Sequence, residues 1–161
     1  MSQPKPKIMI VDNDPNCRAL LCDALGDEPY MLVEAADGQQ ALDLANLELP
    51  DLILLDIRMP GINGVGVLHE LKEQQQTCDI PVIMITAFSL DSQVSACLED
   101  GAVDYICKPF TSAGVRARVR AALRARRQAE TANVTRQLRR AETANFTRQL
   151  RSWERSPQTI S

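Results

Sequence analysis

Five short apolar runs recur along the chain at regular intervals: Ile8–Val11, Met31–Val33, Leu52–Leu55, Val82–Ile85 and Val103–Cys107. The first, third and fourth are uniformly apolar rather than alternating. That is the pattern of parallel strands covered on both faces. Helical spacing fills the gaps. Asp14-Pro15 reads as an N-cap followed by proline at the first helical position. Cys17, Leu20, Leu21, Ala24 and Leu25 then follow i, i+3, i+4, i+7, i+8 spacing, which predicts one buried helix face. Asp37 can cap a second helix carrying Ala41, Leu44 and Ala45. Gly64 opens a third with Val65, Leu68 and Leu71. Asp91 opens a fourth with Val94, Cys97 and Leu98, stopped by Gly101. Thr111 or Ser112 opens a fifth with Val115, Val119, Ala122 and Leu123. The product is a (βα)₅ alternation, an α/β domain with a parallel sheet and right-handed crossovers.

Beyond about Arg124 the pattern changes. The segment Ala129–Arg139 recurs almost unchanged as Ala141–Arg151, with Phe146 in place of Val134, a period of 12. Twelve residues at about 100° each leave an offset of about 120° per repeat, so this is not a heptad seam. Val134, Leu138, Phe146, Leu150 and Trp153 spread over a broad face. No Pro or Gly interrupts residues 115–156, so the fifth helix is expected to continue into this tail. The expected organisation is a disordered lead over 1–6, a globular domain over 7–124 and a basic helical tail over 125–161.

Charge sharpens that division. The chain of 161 residues has a net charge of −3, but residues 1–110 hold 6 basic and 18 acidic side chains, a net of −12. Residues 111–161 hold 12 basic and 3 acidic, a net of +9. Such asymmetry suggests an acidic domain with a tail that contacts something. Apolar content of 45% is ordinary for a globular protein. No apolar run reaches the roughly 20 residues that span a bilayer, and the N-terminal apolar run is too short for a signal-peptide core. A cytoplasmic location with no membrane contact is expected. The five cysteines (17, 22, 78, 97 and 107) show no C-x-x-C spacing, so reduced thiols are expected rather than disulfides or zinc. The single histidine, His69, lacks the second His of a metal helix and reads as an exposed helix residue. The N-x-T sequons at Asn133 and Asn145 carry no weight without a secretory signal.

In open parallel sheets, sites form beyond the C-terminal ends of the strands, where the strand order reverses. Asp12, Asn13 and Asp14 follow the first strand and Asp56 ends the third. Thr86-Ala87 follows the fourth and Lys108-Pro109 the fifth. This set suits phosphoryl transfer. Clustered carboxylates repel, which a hard cation such as Mg²⁺ relieves. A carboxylate can be a nucleophile. The equatorial oxygens of the transferred group need positive charge and donors, which Lys108 and Thr86 can supply.

The segments Val11–Pro15, Leu55–Gly61, Thr86-Ala87 and Gly101–Phe110, in that order and each at a strand end, resemble the receiver domain of bacterial two-component response regulators. The likeness covers residues 7–124. It implies a flavodoxin-like doubly wound sheet of strand order 2-1-3-4-5. It implies that Asp56 accepts phosphoryl from a histidine kinase or phosphotransfer protein. Asp12, the residue at 13, Asp56 and the Arg58 backbone carbonyl would hold Mg²⁺. Thr86 and Lys108 would bind phosphoryl oxygens, Tyr105 would swing inward as Thr86 moves, and Lys108-Pro109 would be cis. Such a protein catalyses only its own phosphorylation and dephosphorylation.

Two departures stand out. Asn13 occupies a position where the family usually has an acid, and Asn63 replaces a common Asp, a change expected to be harmless. Asp14 reads as the helix cap rather than a substitute ligand. Asn13 is also the sole support for an alternative class, a receiver-like binding module not controlled by phosphate. A true enzyme such as an aspartyl phosphatase ranks last, because nothing caps the site against water. The face of the fourth helix, fifth strand and fifth helix, with Glu99, Asp100 and Asp104 against Arg116, Arg118, Arg120 and Arg124, is expected to dimerise through acid–base pairs. The tail is expected to pair with the same helix of a second subunit, in preference to binding nucleic acid. The sequence alone leaves open whether this is a stand-alone receiver or one whose output domain lies outside these residues.

Overall fold

The computed structural model describes residues 4–87 and 92–155. The strands are β1 (Lys7–Val11), β2 (Met31–Ala35), β3 (Leu52–Asp56), β4 (Val82–Thr86) and β5 (Asp104–Cys107). The helices are α1 (Pro15–Leu25), α2 (Gly38–Glu48), α3 (Gly64–Glu73), α4 (Ser92–Glu99) and α5 (Ser112–Glu154). All pairings are parallel and the order is β2-β1-β3-β4-β5. Residues 4–6 have no regular structure, but the Pro6 carbonyl accepts from the Met31 amide at 2.9 Å, which ties the lead to β2.

Strand periodicity of two divides the core. Met9, Val11, Ile53, Leu55, Val82 and Met84 face one side, packed with residues of α2, α3 and α4. Ile8, Ile10, Leu52, Leu54, Ile83 and Ile85 face the other, packed with α1 and α5. This is why the three central strands read as unbroken apolar runs. The edge strand β2 is only partly buried.

The caps follow local chemistry. Asp14 accepts from the Asn16 amide at 2.9 Å with Pro15 opening α1, and Asp37 accepts from the Gln40 amide at 2.8 Å. Asn63 caps α3 by accepting from the Gly66 amide at 2.9 Å, so the Asp-to-Asn change there keeps the needed oxygen. Thr111 Oγ1 accepts from the Gly114 amide at 3.0 Å, so Thr111 caps and Ser112 begins α5. Asp91, expected to open α4, lies outside the described residues.

Three sequence expectations need correction. Leu20 is 59% exposed although its spacing placed it on the buried face of α1. The apolar stripe of α1 is Cys17, Leu21, Ala24 and Leu25. Leu98 is likewise exposed, while Val94 and Cys97 are buried. The fifth strand starts at Asp104, and Val103 is exposed. In each case an apolar side chain lies in solvent, since apolar character does not by itself dictate burial.

Residues through Leu123 form one compact unit, and Arg124 onward forms a second. Within the second unit the helix carries exposed Val134, Leu138, Phe146, Leu150 and Trp153. Its threonines are accommodated by hydrogen bonds to the preceding turn: Thr131 to Arg127, Thr143 to Arg139 and Thr147 to Thr143, each 2.9 Å. No helix among the described residues is long and apolar enough to cross a membrane.

Candidate functional site

The strand order reverses between β1 and β3, and the C-terminal ends of these strands carry Asp12 and Asp56. Asp12 is fully buried and Asp56 is 5% exposed. Each oxygen of Asp12 has a partner. Oδ1 accepts from the Asp14 amide at 2.9 Å, and Oδ2 accepts from Lys108 Nζ at 3.2 Å. The backbone oxygen accepts from an Arg18 guanidinium nitrogen at 2.7 Å. Lys108 Nζ also lies 3.6 Å from Asp56 Oδ1. One ammonium therefore bridges two buried carboxylates.

That balance leaves excess negative charge. Burial and the neighbouring Asp12 carboxylate push Asp56 up to about 6, against the opposing pull of Lys108 and the Arg58 amide. Burial alone would lower Lys108, but Asp56 and Asp12 hold its ammonium above the usual range. The Cys17 thiol, buried beside Asp12 and Lys108, is pushed up to about 12 by burial and then by Asp12, so it stays protonated and inert. The five cysteines are free thiols.

Local structure sets these positions. The cis Lys108–Pro109 peptide follows β5, and the Lys108 amide donates to the Thr86 carbonyl at 2.7 Å, joining the ends of β4 and β5. Thr86 is buried. On the β3–α3 loop the Arg58 amide donates to Asp56 Oδ1 at 3.4 Å. The Gly64 amide donates to the Ile57 carbonyl at 2.8 Å, folding the loop back on β3. An open groove of about 510 Å³ follows this loop, lined by Ile57, Arg58, Met59, Pro60 and Asn63.

Among the described residues no three His, Cys, Asp or Glu side chains are grouped to hold a metal by themselves. The available donors are the two carboxylates with nearby backbone and amide oxygens. That set fits Mg²⁺, which commonly uses one or two carboxylates and completes its shell with water and phosphate oxygens. Two buried carboxylates share the single ammonium of Lys108, an arrangement that a bound cation would relieve.

Asp12, Asp56 and Lys108 thus meet directly, with Thr86 and Arg58 tied in through backbone bonds. Asn13 is exposed on the β1–α1 loop. Tyr105 stands apart, half-buried against the α2–α4 side of the core, with the Arg118 guanidinium 5.9 Å from its ring centroid. Arg118 also donates to both oxygens of Asp104 at 2.8 Å. Sequence reasoning missed Arg18 and the intrachain role of Arg118. For Arg18 a signal existed, since a basic residue at the fourth position of a helix works against the helix dipole.

A family model described as the response regulator receiver domain matches residues 8–120. A probable transcriptional regulator ycf27 from Guillardia theta is 40% identical over 125 residues, 78% of this chain and 48% of that protein. The phosphate regulon transcriptional regulatory protein PhoB from Escherichia coli is 38% identical over 118 residues, 73% of this chain and 52% of that one. The chain spans about half the length of the curated relatives it matches. Among solved structures, the chemotaxis protein CheY4 of Vibrio cholerae superposes with a TM-score of 0.70 at 25% identity, covering 73% of this chain and 98% of that one. The receiver domain of sensor histidine kinase PA1611 from Pseudomonas aeruginosa has a TM-score of 0.69 at 28% identity, covering 74% and 98%, and carries a magnesium ion in its active-site cleft.

Proposed function

The chain belongs to the response-regulator receiver family, and we propose that it is a phosphorylation switch whose acceptor is Asp56. The observation that carries this reading is the single lysine, Lys108, set between two buried carboxylates at the strand-order reversal. An Asp56 oxygen attacks the phosphorus of a phosphohistidine on a histidine kinase or phosphotransfer protein. An O–P bond forms, the N–P bond breaks, and the electron pair leaves with the imidazole nitrogen. Mg²⁺, held by Asp12, Asp56, the Asn13 amide oxygen and the Arg58 carbonyl, would neutralise charge on the phosphoryl oxygens. Lys108 supplies fixed positive charge and Thr86 a hydroxyl. The protein works in the cytoplasm and turns over only its own acyl phosphate.

Output runs through the α4–β5–α5 face and the tail. Tyr105 lies against Arg118, so a change in Tyr105 alters a surface already organised by charge. The exposed apolar residues of the tail favour pairing with the same helix of a second copy. The relatives named as transcriptional regulators are longer, so control of transcription would draw on parts beyond the matched region.

The test is intact-mass measurement after incubation with a small phosphodonor and Mg²⁺. A gain of one phosphoryl group, lost in Asp56→Asn, is expected. A gain that persists in Asp56→Asn would reassign the acceptor. No gain under any donor would favour the phosphate-independent binding module that Asn13 suggests. Continuous phosphate release from varied esters would indicate a phosphatase.

A further inference from the structure

We infer that Arg18 is a positioning residue for the Mg²⁺-binding end of β1, acting through the backbone carbonyl of Asp12; this rests on the reading of the site given above. Arg18 lies in the first turns of α1, and its side chain is 19% exposed. Its shortest contact is not to a carboxylate. One guanidinium nitrogen donates to the Asp12 carbonyl at 2.7 Å, while Nε lies 3.4 Å from Glu34 Oε1 on β2.

The geometry gives that bond a specific consequence. The Asp12 carbonyl belongs to the planar peptide joining Asp12 to Asn13, so holding the oxygen fixes the direction in which Asn13 leaves the strand. The same residue is held at two other points, by the Asp14 amide on Oδ1 and by Lys108 on Oδ2. Arg18 returns the connection to the loop, since its own amide donates to the Asp14 carbonyl at 3.0 Å. These three bonds join Asp12, Asp14 and Arg18 in a closed hydrogen-bonded ring.

Charge explains why Arg18 is also paired with Glu34, outside the ring. A lone guanidinium here would oppose both the helix dipole and a bound cation. Glu34 offsets that charge, so the pair orients the peptide without repelling the metal. Asn13 makes the orientation matter more, because a neutral amide gives a cation only one directed oxygen where an acid would give charge as well.

Titration of the full chain with MgCl₂ at constant ionic strength, followed by backbone amide NMR shifts, tests this. Partners that orient metal ligands typically change affinity by tenfold or more when removed, so Arg18→Ala should weaken Mg²⁺ binding by roughly tenfold. Arg18→Lys, able to reach one partner, should recover part of it. In metal-free protein Arg18→Ala should speed hydrogen exchange at the Asp14 amide. The amide shifts of β4 and β5 in metal-free Arg18→Ala should stay near native, a split that a general loss of structure would not produce. Native-like Mg²⁺ affinity in Arg18→Ala, beside weakened binding in Asp12→Asn, overturns the inference while leaving the site intact. Unchanged binding in Asp12→Asn overturns both. If Arg18→Ala does not fold, Arg18→Lys decides, and native affinity with a native Asp14 exchange rate overturns the inference.

Discussion

At the scale of single residues, the burial of Asp56 beside Asp12 costs stability. Its carboxyl rises from the ordinary 3.8 to about 6, through burial and the Asp12 charge. The native state therefore holds a proton more tightly than the unfolded chain between these values. Stability falls as pH rises through that window, and the cost is fully present above about 6. Asp56→Asn should stabilise the metal-free protein by about 1–3 kcal/mol at pH 7.5, on the scale of 1.4 kcal/mol per pKa unit. The gain should shrink toward zero as pH falls to about 4. Urea unfolding of both proteins at several pH values checks this; an Asn variant no more stable at pH 7.5 would contradict the cause given for the shift. Asn13→Asp should bind Mg²⁺ more tightly than the native chain, because it restores a formal charge to the loop. Equal or weaker binding in the same magnesium titration would show that the amide costs nothing.

At the scale of elements, the β3–α3 turn holds the glycine with the least room for a side chain. A Cβ at Gly64 would lie 2.2 Å from the Asp56 carbonyl oxygen and 2.8 Å from the Ile57 Cα, both rigid backbone. Gly64→Ala should cost about 1–3 kcal/mol, as overpacking does, and should slow phosphorylation by displacing the acceptor. Thermal unfolding and the donor assay together read both effects; an alanine variant with native stability would mean the loop yields freely. The α4–β5–α5 face needs revision at this scale. Arginines expected to reach across a two-fold axis already have partners within the chain: Arg118 holds Asp104, Arg120 meets Glu28, and Arg116 donates to the Ala24 carbonyl at 3.3 Å. A dimer on this face would have to exchange the Arg118–Asp104 pair. Exposed pairs of this kind contribute little individually, so such exchange is feasible.

At the scale of the whole molecule, the chain joins an acidic receiver to a basic helical segment. The apolar residues of that segment lie 49–67% exposed, from Leu150 to Trp153, which leaves apolar surface available for association. Sedimentation equilibrium of the full chain at low and high salt should find a dimer little affected by salt. The double variant Leu138→Asp with Leu150→Asp should be monomeric. A native monomer that binds DNA with steep salt dependence would instead assign the segment to a polyanion.

The sequence by itself determined the element order, the caps at Asp14 and Asp37, and the three central strands, because caps are local chemistry and doubly covered strands must be apolar throughout. It also placed Asp12, Asp56, Thr86 and Lys108 at the strand ends, since parallel topology sends every strand end to one rim. The exact width of the helix faces that meet the core was not legible: Leu20 and Leu98 satisfy the periodicity, yet both are exposed. Nor were Arg18 on the Asp12 carbonyl or Arg118 on Asp104 legible. A long cationic side chain has several acidic and carbonyl partners within reach, and only the packing of α1 against β2 and of α5 against β5 selects among them. The raised Asp56 belongs to the same class, because desolvation and the approach of Asp12 exist only once β1 and β3 lie side by side.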